Sequence, residues 1–205
     1  MPKNLSRAEV ETFRARLCAA AEKRFAKHGP DGVSLRQLAI DLGCSPMTPY
    51  RYFRDKNEIL AAVRAAAFNQ FAEALEGAAA GVPGDARGKS RAVRDAYLRF
   101  AFDRPDAYRL MFDLSHPAED RHPELAEAVV RARRAMSAYV EGLVEQGVMA
   151  GDPQLLGYVF WAATHGVVML HLAGMLTERP DVLTIQREAA RLLARGARPA
   201  DAPPS

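Results

Sequence analysis

A chain of 205 residues in which 49% are hydrophobic and 26% charged is long enough to bury a core of its own and too apolar to be disordered. Its two cysteines, Cys18 and Cys44, exclude a disulfide framework and make a reducing cytoplasm the expected home; no charged start leads into an apolar run and cleavage site of the secretory kind. The net charge of +3 is uneven, because residues 1–56 carry eleven Lys/Arg against six Asp/Glu and the rest seventeen against nineteen, so the basic charge sits at the front. Such a front is either a solvated basic face or an electrostatic footprint for nucleic acid.

In chain order the apolar period is helical nearly everywhere. Val10, Phe13, Leu17, Ala21 and Phe25 step by three or four and predict a long amphipathic helix that ends near Gly29. Ser34 is placed to cap a second helix whose Leu35, Leu38, Ala39 and Leu42 form one stripe before Gly43 stops it. Ser45 is placed to cap a third, "SPMTPYRYF", with Pro46 in a first turn whose N–H would have no helical partner. Pro49 is harder to accommodate: it lacks the N–H that would bond back to the Ser45 carbonyl, and it pushes Thr48 away from helical angles, so a widened first turn is expected. Pro49 and Phe53 then face inward, with Thr48, Arg51 and Tyr52 outside.

Two short helices joined by a glycine-containing turn and braced by a longer one make a helix-turn-helix, whose second helix fits the DNA major groove. The ordered pattern "FAKHG", "SLRQLA", Gly43, Thr-x-Tyr-x-Tyr-Phe and "DKNEIL" across residues 17–63 resembles the DNA-binding domain of the tetracycline-repressor (TetR) family of bacterial regulators. Pro49 stands where members usually carry Leu, Ile or Val. The resemblance implies that Arg36, Pro46, Met47 and Thr48 approach base edges, while Ser34, Tyr50, Tyr52 and Lys56 hold phosphates.

A fourth helix is expected from Asp55 to about Ala80, with Asp55 and Glu58 as a capping box. Composition makes Gly77–Ser90 a loop. Helices follow at about 89–103, 105–112, 123–147, 152–177 and 181–195, before a tail, 197–205, expected to be disordered. The fold class is all-α, divided into a helix-turn-helix domain (1–55) and a C-terminal helical effector-binding and dimerisation domain (56–196).

Pro153–Thr177 has no charged residue and is long enough to cross a bilayer, yet it holds Gln154, Thr164, His165, His171 and three glycines and lacks basic flanks, so burial in a soluble protein is the preferred reading. Ala162, Gly166 and Gly174 are expected to form a small-residue strip for close helix approach. The family dimerises through its last two helices as a four-helix bundle, which implies a homodimer through 152–195. "FWAATHGVVML" and "RPDAYRLMF" resemble the Trp-His-Gly type of TetR C-terminal domain, which implies a small-molecule sensor. Phe100, Tyr108, Phe112, Met136, Tyr139, Trp161, His165 and Met169, with Met111, are its candidate lining, although such residues at helical spacing more often form core.

Enzyme chemistry finds no support. "HPAEDRH", His116–His122, matches no zinc spacing, no nucleophile motif or phosphate-binding glycine loop is present, and no metal or cofactor is expected. The expectation is a ligand-responsive transcriptional regulator, a homodimeric repressor released from a pseudo-palindromic operator by a small apolar effector. An activator, or a less specific DNA-binding helical protein without effector, is the alternative.

Overall fold

The computed structural model describes residues 6–113, 122–176 and 179–199. Among them are eight α-helices and no strand: α1 Arg7–His28, α2 Leu35–Asp41, α3 Lys56–Ala80, α4 Ala86–Asp103, α5 Pro105–Met111, α6 Pro123–Glu145, α7 Pro153–Leu172 and α8 Val182–Gly196. His116–Arg121 of the histidine-containing motif and the residues from Ala200 lie outside the described residues. These helices fall into two compact units, one running through Gln70 with Arg104–Val130, the other Phe71–Asp103 with Arg131 onward. Helices α3 and α6 each begin in the first unit and end in the second.

Ser34 caps α2 as its sequence predicts, and α7 and α8 begin on side-chain caps that sequence reasoning did not single out. Ser34 Oγ accepts from Gln37 N, and the Gln37 side chain returns to Ser34 N at 2.8 Å. Asp152 Oδ1 accepts from Gln154 N at 2.8 Å with Pro153 following, and Asp181 Oδ1 accepts from Thr184 N at 2.9 Å. Each bond satisfies an N–H that has no partner within the helix. At Asp55 the expected box is half present. Asp55 Oδ1 accepts from Glu58 N at 2.9 Å, but the Glu58 carboxylate accepts from Arg54 N at 2.6 Å, and the Arg54 guanidinium beside it draws the carboxylate one residue further back.

The loop predicted for Gly77–Ser90 is far shorter, because α3 continues through Ala80 and α4 starts at Ala86. Alanine is the best helix former, so the run Ala78–Ala80 outweighs the isolated Gly77. The connection is held by Gln146, whose Oε1 accepts from Ala86 N at 3.4 Å and whose Nε2 donates to Gly84 O at 3.3 Å. Helix α7 stops at Leu172 rather than near Thr177, and Gly174, at φ +68°, turns the chain after it. Ala197, expected in the tail, is buried, and its carbonyl accepts from Ala150 N at 2.8 Å.

In the first unit Leu17, Ala21 and Phe25 of α1 meet Leu35 and Leu38 of α2, Phe53, and Ile59, Leu60 and Val63 of α3 in one buried cluster. Arg104 pairs with Glu22 at 2.9 Å, and the buried Arg64 donates to the Met111 carbonyl at 3.1 Å, which satisfies the C-terminal end of α5. The second unit is built on Phe71, whose ring meets Tyr97 at 5.0 Å and Phe100 at 5.2 Å, both edge-on. Arg131 ties α6 to α3 through Glu76 at 2.6 Å.

Candidate nucleic-acid interface and cavity

The turn between α2 and the following segment depends on Gly43. Its φ of +64° lets its N–H reach Ile40 O at 3.1 Å while Cys44 N reaches Ala39 O at 3.0 Å, a helix ending that glycine makes at least cost. After it, the eight-residue helix expected over Ser45–Phe53 is absent. Thr48 N bonds Ser45 O at 2.8 Å in a turn, and only Pro49–Arg51 form a single 3₁₀ turn, closed by Tyr52 N and Phe53 N on Pro49 O, each at 3.0 Å. Pro49 is responsible, since without an N–H it cannot bond to Ser45 O and a tighter turn takes over. The expectation for Thr48 is corrected: at φ −63°, ψ −45° it keeps helical angles despite the proline after it. Pro49 and Phe53 are buried, as their spacing predicts.

The surface of this turn is apolar and basic. Met47 is 67% and Tyr50 50% exposed, Pro46 and Arg51 are exposed, and Ile40 of α2 adds a further apolar side chain at 68%, which sequence reasoning placed nowhere. From Leu42 to Arg54 there is no acidic residue. The neighbouring acids are engaged within the unit: Asp41 with Arg24, Asp55 with the start of α3, Glu58 with Arg54, and Asp31 with Lys56 at 3.2 Å. The Arg24 guanidinium holds the Asp41 carboxyl below its ordinary pKa through their hydrogen bonds.

The sequence-predicted residues are not equivalent within this frame. Arg36 is exposed on α2 and, among the described residues, has no ion-pair partner, whereas Ser34 spends its hydroxyl on the capping box. Tyr52 is half-buried with its ring on Phe13 at 4.6 Å, and its carbonyl accepts from Arg14 at 2.8 Å. Arg14 also lies over the Phe53 ring at 4.3 Å, so this cation braces the turn from behind. Asp31 is 92% exposed beside Lys56, a pair worth under about 1 kcal/mol that a phosphate can displace.

The second unit encloses a cavity of about 460 Å³ between α4, α6, α7 and α8, within the range of small-molecule sites. Its apolar wall includes Tyr97, Met136, Tyr139, Leu143, Phe160 and Trp161. The cavity thus gathers three of the candidate lining residues: Met136, Tyr139 and Trp161. Phe100 does not reach it, being buried against Phe71, and His165 and Met169 are half-buried on α7 outside its wall. Tyr108 and Phe112 belong to the first unit, where their rings meet at 5.0 Å beside Met111, so helical spacing marked core there rather than pocket. Burial pushes the Tyr139 hydroxyl up to about 12 and holds His165 below its ordinary pKa. Sequence reasoning missed the polar part of the wall, in which Arg87, Arg91, Arg94, Arg187, Arg191 and Arg198 accompany Gln186. Arginines 87, 91 and 94 recur at helical spacing, a signal hidden among the other charges of α4.

The short helix α2 with the basic, acid-free turn after it, and the helical unit that holds the cavity, are the two parts of the chain that sequence comparison assigns. Residues 17–63 match the family model for bacterial regulatory proteins of the tetR family, and residues 90–195 match that for the tetracyclin repressor-like C-terminal domain. The chain belongs to the TetR family of DNA-binding transcriptional regulators, which are not enzymes. It is similar to the HTH-type transcriptional regulator Rv1816 of Mycobacterium tuberculosis, at 24% identity over 146 residues, 71% of this chain and 61% of that one. The chain thus spans about three fifths of the length of the curated relatives it matches. Among solved structures it resembles a protein of unknown function from Rhodococcus sp. RHA1, with 28% identity and a TM-score of 0.80, covering 97% of this chain and 100% of that one. A tetR-family regulatory protein from Rhodococcus RHA1 shares the fold, with a TM-score of 0.71 at 19% identity over 96% of this chain and 100% of that one.

Proposed function

We propose that this protein is a cytoplasmic, homodimeric, effector-responsive transcriptional regulator that represses from a pseudo-palindromic operator. The observation that carries the DNA-binding part is the Leu42–Arg54 surface, free of acids, whose neighbouring carboxylates are all engaged inside the unit. Arg36, Pro46, Met47 and Thr48 address base edges. Tyr50, Tyr52, Lys56 and the Ser34 end of α2 grip phosphates.

The dimer reading rests on the last two helices. One helix among the described residues, Pro153–Leu172, is long and apolar enough to cross a membrane, yet one stripe of it, Leu155, Val159, Ala162, Gly166 and Leu170, fits a second helix pair better. In the single chain Leu155 is 61%, Leu170 42%, Leu183 48% and Leu192 55% exposed, an apolar surface of the kind that marks an interface. The 460 Å³ cavity is the effector site, and a small apolar effector fits its Trp161 and Met136 wall. An effector that prefers the arrangement in which the two DNA-reading units are wrongly spaced lowers operator affinity by its differential binding.

Selection of bound fragments from random DNA tests the reading. A recurring two-fold sequence is expected. On it Lys56→Ala weakens all sequences alike and flattens the salt slope by about one unit. Arg36→Ala relaxes one base pair per half-site, by about 1–3 kcal/mol. Enrichment of no sequence would sink specific regulation, and uniform loss with Arg36→Ala would remove it from the base edges.

A further inference from the structure

The second-unit cavity has an apolar floor and a cationic mouth. Arg87, Arg91 and Arg94 lie at i, i+4 and i+7 along one face of α4, Arg187 and Arg191 lie on α8, and Arg198 follows its C-terminal end; all six line the same cavity. Among the described residues no Asp or Glu lines it. Among the described residues, Asp85 lies 3.6 Å from Arg91, Asp95 lies 2.8 Å from Arg94 and Glu188 pairs with Arg191, all from outside the wall. Arg187 donates only to neutral oxygens, Leu183 O and Thr184 Oγ1, each at 3.3 Å. Two rows of guanidinium groups facing one cavity repel each other, and an anion between them relieves that repulsion.

Gln186 supplies an independent observation. It is 3% exposed, lines the cavity, and among the described residues has no hydrogen-bond partner for its side-chain amide. Its amide atoms stay accessible from the cavity, so a ligand seated there can pair with them. Tyr139, whose hydroxyl stays protonated across the physiological range, adds a donor on the α6 side. Donors therefore surround the cavity, while Trp161, Phe160 and Met136 close it with apolar surface.

We propose that this cavity takes an amphiphilic anion: an apolar chain or ring seated against Trp161 and Met136, with a carboxylate or phosphate head held by the arginine rows and the Gln186 amide. This deepens, and rests on, the reading of the cavity as the effector site, and it replaces a purely apolar effector by one with a charged head. Arginine pairs with such heads through two parallel N–H donors, which a hydroxyl head cannot match. DNA is disfavoured as the occupant, because Trp161, Phe160 and Met136 offer apolar wall that a polyanion does not fill.

The test uses the full-length protein and three ligands of one chain length: decanoate, decyl phosphate and decanol, titrated below their micelle concentrations. Trp161 is the only tryptophan, so its emission reports on the cavity wall, and calorimetry gives the affinities. At least one anion is expected to bind about tenfold or more tightly than decanol, with an advantage that shrinks as salt rises. The tighter of the two anions identifies the head group. The Arg187→Gln/Arg191→Gln double variant should lose about tenfold for that anion and keep its decanol affinity, which itself shows that the cavity is intact. Ala190→Trp, which fills the cavity, should abolish binding of all three. If decanol binds as tightly as both anions, the charged-head inference is overturned and the effector cavity stands; if none of the three perturbs Trp161 or gives heat, the effector site and the inference fall together.

Discussion

Substitution at Gly157 tests the packing that shapes the second unit. A Cβ built on Gly157 of α7 would lie 2.6 Å from Ser137 Cβ and 3.2 Å from Ser137 Cα of α6, well inside van der Waals contact, so Gly157→Ala forces the two helices apart. Overpacking of this kind costs about 1–3 kcal/mol. Removing glycine from a helix interior returns about 1 kcal/mol, which would partly mask it. Gly77→Ala in α3 supplies the control, because nothing lies within 4 Å of its added Cβ and only the propensity gain remains. The difference between the two variants then isolates the packing cost, about 2 kcal/mol, or roughly 4–8 °C in Tm at about 2–4 °C per kcal/mol for a chain of this size. Thermal denaturation followed by circular dichroism at one protein concentration measures it. Ser137→Gly in the Gly157→Ala background should recover most of the loss, a coupling of about 1–3 kcal/mol between the two positions. If Gly157→Ala melts with or above Gly77→Ala, the close approach of α6 and α7 is wrong, and with it the wall of the cavity.

Three further outcomes are expected. Gly166→Arg, which places a charge in the middle of the exposed α7 stripe, should convert a dimer of twice the 22.5 kDa chain mass into monomer or aggregate in light scattering; an unchanged dimer would move the interface off α7. His165 is held below its ordinary pKa by burial, so below the ordinary imidazole value of about 6.5 the unfolded chain binds the proton more readily. Stability should therefore be fully present above that pH and fall as pH drops toward the folded-state value, and a His165→Gln variant should show a shallower decline. Burial pushes the Cys18 thiol up to about 11, so at pH 8 a thiol reagent should label the folded protein at Cys44 first, with Cys18 reacting only on unfolding. Equal rates at both would show that the α1 face carrying Cys18 opens readily.

Local chemistry determined a large part of this protein. Ser34, Asp152 and Asp181 are capping residues wherever they stand before an apolar helical run, and Gly43 must end α2 because its φ of +64° suits glycine. The all-α class and the helix-turn-helix pattern of residues 17–63 follow from that spacing, as does the inward turn of Pro49 and Phe53. Where two local signals competed, the sequence alone left the outcome open. The run Gly77–Ser90 reads as loop by its glycines, but its alanines extend α3; Pro49 reads as a defect inside a helix, but the chain begins a 3₁₀ turn there. The small residues show the limit most clearly. Gly157, Gly166 and Gly174 look alike in sequence, yet Gly157 touches Ser137, Gly166 is open and Gly174 is a turn, because what meets a glycine depends on which helix crosses it. The cavity has the same origin. Its arginines come from α4, from α8 and from Arg198 two residues past it, separated by about half the chain, and periodicity reports only which residues share one helix face. Bringing two such faces together over one apolar floor is a tertiary event, and it decided that the cavity of this regulator is cationic.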